Sequence, residues 1–576
     1  MKYYKIISLF VIAAAVAGCN GLGKMSKNAS TVKYEVTPNP VEMHGDSVAI
    51  TVKGTYPPKY FAKKVSLTVT PSLKSASGEK SFKSINIVGE KVEGNGTKIN
   101  SKAGGSFTYT DKIAYSSDLR AADLMVNIKG MKGKKEKDLP SMKIADATIT
   151  TPLLVKSDEK VIIGKDNFQR ITPVAFDGRM YYPVNVSNLN TSFKHNLSGI
   201  SNKTESAALD SILKSCMASN MSLKSIDVTG NASPDGKVDL NTKLADNRSK
   251  STDKFLAERM KKMKMKADSV AMNRSSVAED WPGFQKEMQQ SDMAMKDVIL
   301  RIVASNSDPE AREMEIKKMG KAYKEIADGI MPKLRKSDYH FNADKIGRSD
   351  EEISRLAKSN PDSLSNEEIL YAATLTQSNN EKLTIYTSGE RIYPQDWRAA
   401  NNVGAVKFQL SDVDGAMAEF SKADQLSPNN AIVLNNMGAG YRRKGDRAKA
   451  KEMYTAAASA GSEVGENMAI VDVMNGNYSE AVSHCGSAAT FNCALAKLLS
   501  GDKDGAMSTL MASPDKDTGI GHYLMAVISA RKGDCAGAVS HLTTSIQMDP
   551  SMKAMAKDDR EFIKCYGDAG FKAAVQ

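Results

Sequence analysis

The chain has 576 residues, a formal net charge of +12 and 25% charged residues. That length predicts three or four domains, each able to bury a large core. Lysines are spread along the chain, so the charge indicates a solvated basic surface or one attracted to anionic lipid headgroups or cell-wall polymers. Beyond the N-terminus no stretch approaches eighteen uninterrupted apolar residues, which argues against a membrane-spanning helix.

The N-terminus has the pattern of an export signal. Lys2 and Lys5 precede a short apolar run and the small residues Ala17 and Gly18, which predicts a signal peptide over residues 1–18. The run 16–19, Val-Ala-Gly-Cys, resembles a bacterial lipobox, which implies a diacylglyceryl thioether on Cys19 and, with a further acyl chain, stable membrane anchoring. An ordinary signal peptide with an incidental cysteine is the alternative. Residues 19–30 lack apolar periodicity and are predicted to form a lipidated tether.

Residues 31–155 alternate apolar and polar side chains. Two of the runs are 48–52, Val-Ala-Ile-Thr-Val, and 65–69, Val-Ser-Leu-Thr-Val, and turn signals separate the runs. Seven or so short strands over this length predict a β-sandwich of immunoglobulin type. Such a module serves as a spacer or as a binding surface.

Residues 158–345 mix both kinds of secondary structure and predict an α+β sandwich with a helical insertion over residues 276–334. The predicted strands and helices, in chain order, are Met180–Asn185, Glu205–Ser219, Leu223–Gly230, Leu240–Met260 and Asp338–Asn342.

A motif in this region resembles the OmpA C-terminal family. Its residues are the turn sequence 226–236 (Ile-Asp-Val-Thr-Gly-Asn-Ala-Ser-Pro-Asp-Gly), then Asn241, Leu244 and Arg248, and the insertion resembles that of a version common in Bacteroidetes lipoproteins. The resemblance implies that an arginine and a turn aspartate bind the diaminopimelate of peptidoglycan, the arginine through a bidentate pair with a carboxylate.

Arg248 matches the family arginine, whereas Ser233 occupies the place of the aspartate and Asp235 follows two residues later. Peptidoglycan binding therefore requires Asp235 to substitute. In the alternative, Arg248 pairs with Asp227 or Asp239 or caps a sheet edge, and the fold is a rigid or partner-binding module.

The last third of the chain repeats itself. Gly404, Ala416, Phe420 and Ala423 recur thirty-four residues later as glycine, alanine, tyrosine and alanine. This spacing resembles tetratricopeptide repeats, which implies an all-α solenoid whose concave face receives peptides or partner proteins. We predict this tetratricopeptide (TPR) solenoid over residues 366–576, with five units from about Pro394 to Pro550.

Polar residues on the inner helices are the candidate partner-binding residues: Asn401, Asn402, Asn435, Asn436, Tyr441 and Arg442. The two asparagine doublets lie at equal phase in successive units, an arrangement that could bind a peptide backbone through side-chain amides. A solvated surface is the alternative.

Cysteines and short motifs complete the survey. Candidate disulfides are Cys485 with Cys493 and Cys535 with Cys565, and an odd count leaves one thiol unpaired. The six scattered histidines show no metal-binding spacing, and no nucleophile elbow, phosphate loop or zinc-protease motif occurs, so we expect no metal, no cofactor and no catalysis. Asp-Ser-aliphatic triplets resemble the O-glycosylation acceptor of Bacteroidetes export, although the serines beside predicted helices also suit N-caps. These serines are Ser47, Ser211, Ser269 and Ser363.

The sequence thus favours a non-catalytic lipoprotein scaffold in the cell envelope, with an envelope protein or peptide as partner, peptidoglycan as a further ligand, and no nucleic acid. The periplasmic face of the outer membrane is favoured, because residues 20–24 lack the acidic run that resembles a surface-export signal. A surface-exposed or fimbria-associated adhesin, and an envelope hydrolase with an unrecognised site, are the alternatives.

Overall fold

The computed structural model describes residues 21–265 and 270–576. The predicted signal peptide and Cys19 lie outside these residues. The chain divides into a first unit, which runs up to Lys165 and resumes over Thr376–Gln576, and a second unit, Asp166–Leu375. Among the described helices, none combines the length and the apolarity needed to cross a bilayer.

The first unit begins with a β-rich region. Alternation of apolar and polar residues gives each main strand one buried face, as in β3, where Val48, Ile50 and Val52 are buried. A short helix, α1 (Leu22–Lys27), adds Leu22 and Met25 to the same core, so the prediction of a tether over residues 19–30 is wrong for residues 22–27. The ten strands are β1 (Lys33–Thr37), β2 (Val41–His44), β3 (Ser47–Tyr56), β4 (Ser66–Lys74), β5 (Glu79–Ser81), β6 (Ile85–Gly89), β7 (Thr97–Ile99), β8 (Gly105–Ala114), β9 (Asp123–Lys132) and β10 (Lys135–Ile149).

Hydrogen bonding links all ten strands, in the order β1-β3-β2-β10-β9-β4-β6-β7, with β5 on β4 and β8 on β3. The prediction of an N-terminal all-β region is confirmed. Two groups of strands, antiparallel except for the parallel pair β6–β7, are joined where Ala147 and Ile149 of β10 pair in parallel with Val41 and Glu42 of β2. Both groups contribute to one hydrophobic core.

The second unit is an α+β structure with the sheet order β11-β14-β12-β13, in which β12 and β13 are parallel and the other two pairings are antiparallel. Helices α2 and α3 pack their apolar residues into the core of this sheet, and helices α4 to α8 have a hydrophobic cluster of their own. The elements are β11 (Ile171–Tyr181), α2 (Asn202–Cys216), β12 (Met221–Asn231), α3 (Val238–Lys262), β13 (Ala271–Val277), α4 (Trp281–Gln289), α5 (Lys296–Ser305), α6 (Pro309–Lys317), α7 (Lys321–Gly329), α8 (Met331–Leu334), β14 (Lys336–Ile346), α9 (Asp350–Ser359) and α10 (Asn366–Ala372).

The elements of this unit differ from the predictions in three main respects. Strand β11 covers Ile171–Tyr181, whereas the predicted strand covers residues 180–185. The observed strand ends before Pro183 because proline has no N–H to donate to a neighbouring strand. Strand β13 was not predicted, since its side chains are polar and largely exposed at the sheet edge. Helix α10, assigned to the solenoid from sequence, belongs to the second unit.

The C-terminal part of the first unit is an all-helical solenoid of tetratricopeptide type. Five antiparallel hairpins follow one another in the described chain: α12 with α13, α14 with α15, α16 with α17, α18 with α19, and α20 with α21. The helices are α11 (Asn379–Ile392), α12 (Trp397–Gln409), α13 (Val413–Leu426), α14 (Ala431–Arg443), α15 (Arg447–Ala456), α16 (Ser462–Asn475), α17 (Tyr478–Cys485), α18 (Phe491–Leu499), α19 (Lys503–Met511), α20 (Gly519–Lys532), α21 (Cys535–Met548), α22 (Ser551–Lys557) and α23 (Ala569–Val575).

The repeated small and aromatic residues hold each hairpin together. A Cβ on Gly404 would lie 2.6 Å from the Phe420 ring, and one on Gly438 would lie 2.6 Å from the Tyr454 ring. Glycine is therefore required where the first helix crosses the aromatic side chain of the second. The hairpin turns also follow from sequence: Gly445 has a φ of +88°, and the next residue, Asp446, caps helix α15.

Both predicted disulfides are present. Cys485 bonds to Cys493 between α17 and α18, and Cys535 bonds to Cys565 between α21 and the C-terminal cap. Among the described residues the free thiol is the buried Cys216.

One end of the β-rich region packs on the solenoid within the first unit. Asp46, in the turn between β2 and β3, pairs with Arg447 at 2.8 Å. Arg560 donates to the carbonyl of Ala147 at 3.1 Å and pairs with Asp123 at 3.2 Å. The starts of β3 and β9 and the end of β10 therefore face the solenoid.

Candidate functional site

The concave face of the solenoid holds a segment of the same chain. Residues 156–164, called the strap here, follow the β-rich region and run along the first helix of successive hairpins, from α18 back to α12. The strap and the solenoid belong to the same unit. The site therefore consists of an irregular segment and the inner helices α12, α14, α16 and α18.

Four asparagines bind the strap backbone in the same way. In each pair the side-chain Oδ1 accepts from a strap N–H, and Nδ2 donates to the carbonyl of the same strap residue. The pairs, with the two distances in that order, are Gly164 with Asn402 (2.7 and 2.9 Å), Ile162 with Asn436 (2.7 and 2.8 Å), Lys160 with Asn467 (2.7 and 2.8 Å) and Lys156 with Asn492 (2.8 and 3.0 Å).

Neighbouring asparagines orient the amides of Asn402, Asn436 and Asn467, and Asn467 Nδ2 donates to Asn435 Oδ1 at 2.9 Å. Asn401 Nδ2 donates to Asn402 Oδ1, and Asn435 Nδ2 donates to Asn436 Oδ1, both at 3.1 Å. Asn436 in turn donates to Asn401 Oδ1 at 2.9 Å. Asn401, Asn402, Asn435 and Asn436 are fully buried. Asn402, Asn436 and Asn467 are thus held by a continuous polar network, which fixes which end of each amide accepts and which end donates.

The spacing of the contacts explains how a helical repeat can hold an extended chain. From α12 to α16 each hairpin takes the strap residue two positions earlier, and residues two apart in an extended chain point the same way. The alternate side chains Val161 and Ile163 pack on an apolar cluster of the solenoid that includes Phe408 and Phe420. Apart from Asn492, whose Nδ2 also donates to the Asp158 carboxylate at 2.6 Å, the asparagines contact only backbone groups of the strap.

Selectivity for side chains comes from a buried ion pair. The Glu159 side chain has no exposed surface, and its carboxylate contacts Arg442 and lies 2.8 Å from Nε of Arg443. Arg442 also donates to Ser157 Oγ at 3.1 Å. Burial, with the adjacent Arg443, lowers the pKa of Arg442 to about 10, so the guanidinium stays protonated at neutral pH. At the other end of the groove Lys156 pairs with Asp515 at 2.5 Å.

A close contact with Arg398 also requires glycine at position 164 of the strap. A Cβ at this position would lie 2.9 Å from Cγ and 3.3 Å from Cα of Arg398. The strap therefore meets helix α12 without room for a side chain, and Arg398 donates to the next carbonyl, that of Lys165, at 3.1 Å.

Five of the six predicted partner-binding residues lie at the strap: Asn401, Asn402, Asn435, Asn436 and Arg442. Tyr441 packs instead under Lys449, whose Nζ lies 4.5 Å from the ring centre. Sequence reasoning missed Asn467, Asn492 and Arg443. A signal existed for the first two, because Asn436, Asn467 and Asn492 each lie nine residues before the glycine of a hairpin turn.

Arg248 in the second unit is engaged by backbone carbonyls. It is 1% exposed and donates to the carbonyls of Val186, Asn231 and Pro183 at 3.1, 2.8 and 3.2 Å. Burial lowers its pKa to about 10. It pairs with neither Asp227 nor Asp239 in the described structure, so the ion pairs of the alternative are absent there. Its donors instead hold a loop and the end of strand β12 together.

Asp235 is bound within its own turn and by Arg335. Its carboxylate accepts from Ser233 Oγ at 2.6 Å and from Arg335 at 2.7 Å, and Arg335 Nε also donates to Ser233 Oγ at 3.1 Å. The structure therefore places Asp235 and Ser233 together with Arg335, while Arg248 is bound by the carbonyls described above.

The serines of the Asp-Ser-aliphatic triplets lie in different settings. Ser363 is exposed in a short 3-10 helix, Ser211 is exposed within α2, and Ser47 is half-buried at the start of β3. Ser269 lies outside the described residues. Over residues 21–265 and 270–576 no group of three or more histidines, cysteines or acidic residues is arranged to hold a metal ion.

Comparisons with known proteins find partial likenesses in structure. No protein-family model matches the chain, and no curated protein matches it. Similar solved structures include YrrB, described as a TPR protein with an unusual peptide-binding site, at 20% identity over 29% of this chain and 92% of that one, with a TM-score of 0.24. A tetratricopeptide repeat protein from Parabacteroides merdae has 14% identity over 43% and 98%, with a TM-score of 0.29. Pseudomonas aeruginosa pilF has 15% identity over 38% and 99%, also with a TM-score of 0.29. The assignment of the solenoid itself stands on the hairpins and repeats of this chain.

Proposed function

We propose that the protein is a non-catalytic scaffold of the cell envelope, anchored through a lipid on Cys19 at the periplasmic face of the outer membrane. In this proposal the solenoid uses its peptide-binding groove to hold the chain's own strap. The observation that carries the proposal is the set of four asparagine side chains that bind strap residues 156–164 through both backbone groups.

A groove filled from within the same chain favours a scaffold over an open peptide receptor. The strap is covalently tethered at both ends, so its effective concentration at the groove exceeds that of a free peptide. A competing peptide would also have to replace the ion pair of Glu159 with Arg442. Partner proteins are therefore expected on the outer surfaces of the solenoid and on the second unit.

The second unit fits the scaffold as a rigid module. Binding of a diaminopimelate carboxylate by Arg248 would require its guanidinium to leave three carbonyl oxygens inside the protein. Those carbonyls would then lose their donors, and unsatisfied buried polar groups are costly. This geometry disfavours peptidoglycan as the ligand of Arg248.

A peptide-exchange experiment tests whether the groove is closed. A labelled peptide of residues 155–166 should not bind the wild-type protein. It should bind the double variant Lys160→Pro/Ile162→Pro, because proline removes the two strap N–H groups that donate to Asn467 and Asn436. Fluorescence anisotropy measures both.

The matched control is Val161→Ala/Ile163→Ala, which shortens neighbouring side chains but keeps every N–H of the strap. It should remain closed to the peptide. If the wild type bound the peptide as tightly as the proline variant does, the groove would be an open receptor, and the scaffold proposal would be wrong.

Replacing Cys19 tests the anchor. In a bacterium with an outer membrane, the wild type should sediment with the membrane fraction, and mass spectrometry should find acyl chains on the peptide that begins at Cys19. Cys19→Ser should move the protein to the soluble fraction, because the thioether cannot form. Sedimentation of Cys19→Ser with membranes to the same extent, and an unmodified Cys19 in the wild type, would both contradict lipid anchoring.

A further inference from the structure

The β-rich region has two ends with different surroundings. β3, β9 and β10 run between them, and the ten residues of β3 span about 33 Å. The starts of β3 and β9 and the end of β10 pack on the solenoid through Asp46, Asp123 and Ala147. The opposite end is formed by the end of β3, the start of β4 and the turn between β9 and β10.

Lysines gather at this second end. Lys132 and Lys135 pair across the β9–β10 turn, and Met131, near the end of β9, lies opposite Ser66, the first residue of β4. Lys63 and Lys64 immediately precede β4, and the N–H of Lys91 donates to the carbonyl of Lys63 at 2.9 Å. We call the following exposed lysines the basic end: Lys24, Lys27, Lys63, Lys64, Lys91, Lys132, Lys134 and Lys135.

Few carboxylates neutralise this surface. Glu90 lies 3.5 Å from Lys63, and Glu136 lies 3.0 Å from Lys129, a lysine outside the set. Glu93 is exposed in the neighbouring loop. The basic end therefore keeps a clear excess of positive charge. Met131, an exposed apolar side chain, lies beside Lys132 at the end of β9.

The N-terminal segment enters the fold at the basic end. A Cβ on Gly21 would lie 3.8 Å from Cδ of Lys132 and 3.4 Å from Cβ of Ala62, the residue before Lys63. Leu22 and Met25 are buried in the core, and the Tyr60 hydroxyl donates to the Met25 carbonyl at 3.1 Å. Cys19 is two residues from Gly21, a distance of at most about 7 Å along an extended chain.

From this placement we propose that the basic end binds the headgroups of anionic phospholipids. The basic end of the β-rich region then lies against the membrane, and the end that packs on the solenoid faces away from it. The orientation rests on the proposed lipid at Cys19, whereas the charge attraction does not require it. Lysines within a Debye length of an anionic surface are attracted to it, and the attraction falls as salt rises. A tether of two residues keeps the basic end within that range.

Vesicle binding by protein without a lipid tests the proposal independently of Cys19. The chain from residue 20 to residue 576, which contains every described residue, is mixed with vesicles of phosphatidylcholine alone or of phosphatidylcholine with phosphatidylglycerol. It should sediment with the anionic vesicles and remain free with the neutral ones. Added NaCl should release it.

Charge reversal locates the surface. Lys132→Glu/Lys134→Glu/Lys135→Glu, in an exposed turn, should weaken binding to the anionic vesicles by roughly two orders of magnitude, since each lysine near such a surface contributes roughly a fivefold effect. The matched control, Lys553→Glu/Lys557→Glu/Lys564→Glu, changes the net charge equally at exposed lysines of the C-terminal cap. It should bind nearly as well as the wild type.

Three results would overturn the proposal. An equal loss in the control would show that net charge alone acts, and binding to neutral vesicles would show that charge does not decide it. Retention by purified peptidoglycan but not by anionic vesicles would identify a wall polymer as the partner. None of these results bears on whether Cys19 carries a lipid, which the membrane fractionation of Cys19→Ser decides separately.

Discussion

Glu159→Gln is expected to lower the free energy of unfolding of the first unit by about 3–5 kcal/mol, the usual cost of removing one partner of a buried ion pair. The glutamine keeps the shape of the side chain but leaves the buried Arg442 guanidinium without its counter-charge. Arg443 can still reach water, because it is more exposed. The loss therefore arises chiefly at Arg442, and urea denaturation measures it.

Two further variants separate the buried pair from a general charge effect. Asp414→Asn removes an exposed carboxylate that lies 2.6 Å from Lys444, and it should leave stability nearly unchanged. Glu159→Met/Arg442→Met replaces both buried charges and should recover most of the loss. A Glu159→Gln variant as stable as Asp414→Asn would show that the carboxylate is not buried against Arg442 in solution.

Alanine at Asn402, Asn436 and Asn467 together is expected to release the strap. Each replacement leaves one strap N–H without a partner inside the protein, at a cost of about 1–3 kcal/mol for each site. The Asn402 replacement also removes the donor to the Gly164 carbonyl, whereas the carbonyls of Ile162 and Lys160 keep the amides of Asn401 and Asn435. The combined loss should free the strap from the groove while the hairpins, whose own cores are unchanged, remain helical. Circular dichroism checks the helices, and amide hydrogen exchange checks the strap.

Hydrogen exchange in the wild type should alternate along the strap. The amides of Lys160, Ile162 and Gly164 donate to asparagine side chains and should exchange slowly. In the described part of the chain the amides of Val161 and Ile163 donate no hydrogen bond, so they should exchange faster. The triple variant should abolish the difference, whereas Asn380→Ala, at an exposed position of α11, should preserve it. Uniform exchange in the wild type would contradict the bound strap.

The solenoid could be predicted because the residues that recur in each repeat pack against one another within a single hairpin. Gly404 and Phe420 must meet inside one hairpin, and their recurrence as Gly438 and Tyr454 marks the next. The same regularity put the asparagine doublets at equal phase and indicated a backbone-binding role. These features depend on contacts between residues less than forty positions apart.

The occupant of the groove could not be predicted. Apart from the bond of Asn492 to the Asp158 carboxylate, the asparagines bind only N–H and carbonyl groups of the strap, which every residue except proline offers. They therefore require little of the strap's sequence. Glu159 is the strap residue whose side chain the groove recognises, through its ion pair with Arg442. In the sequence it cannot be told from a solvated charged residue of a linker. The contact joins residues that are almost 300 positions apart.

The second unit shows where a motif is insufficient. Arg248 lies on the helix that the family resemblance predicts, yet its surroundings come from Pro183 and Val186, in a loop that no motif marks. Strands β11 and β13 form the two edges of the sheet, where exposed polar side chains weaken the alternation that identifies a strand. The central strands β12 and β14, with Ile226, Val228 and Phe341 buried, were recognised.

The course of the strap has a consequence for the order in which the chain folds. Its contacts with Asn402 and Asn492 join residues separated by 238 and 336 positions, and such distant contacts form late because a long loop must first be closed. The strap is synthesised before any hairpin of the solenoid exists. The solenoid must therefore assemble around a segment that is already present, and the groove is completed only when the fourth hairpin has left the ribosome. A chain that ends before that point has its β-rich region but cannot complete the groove around the strap.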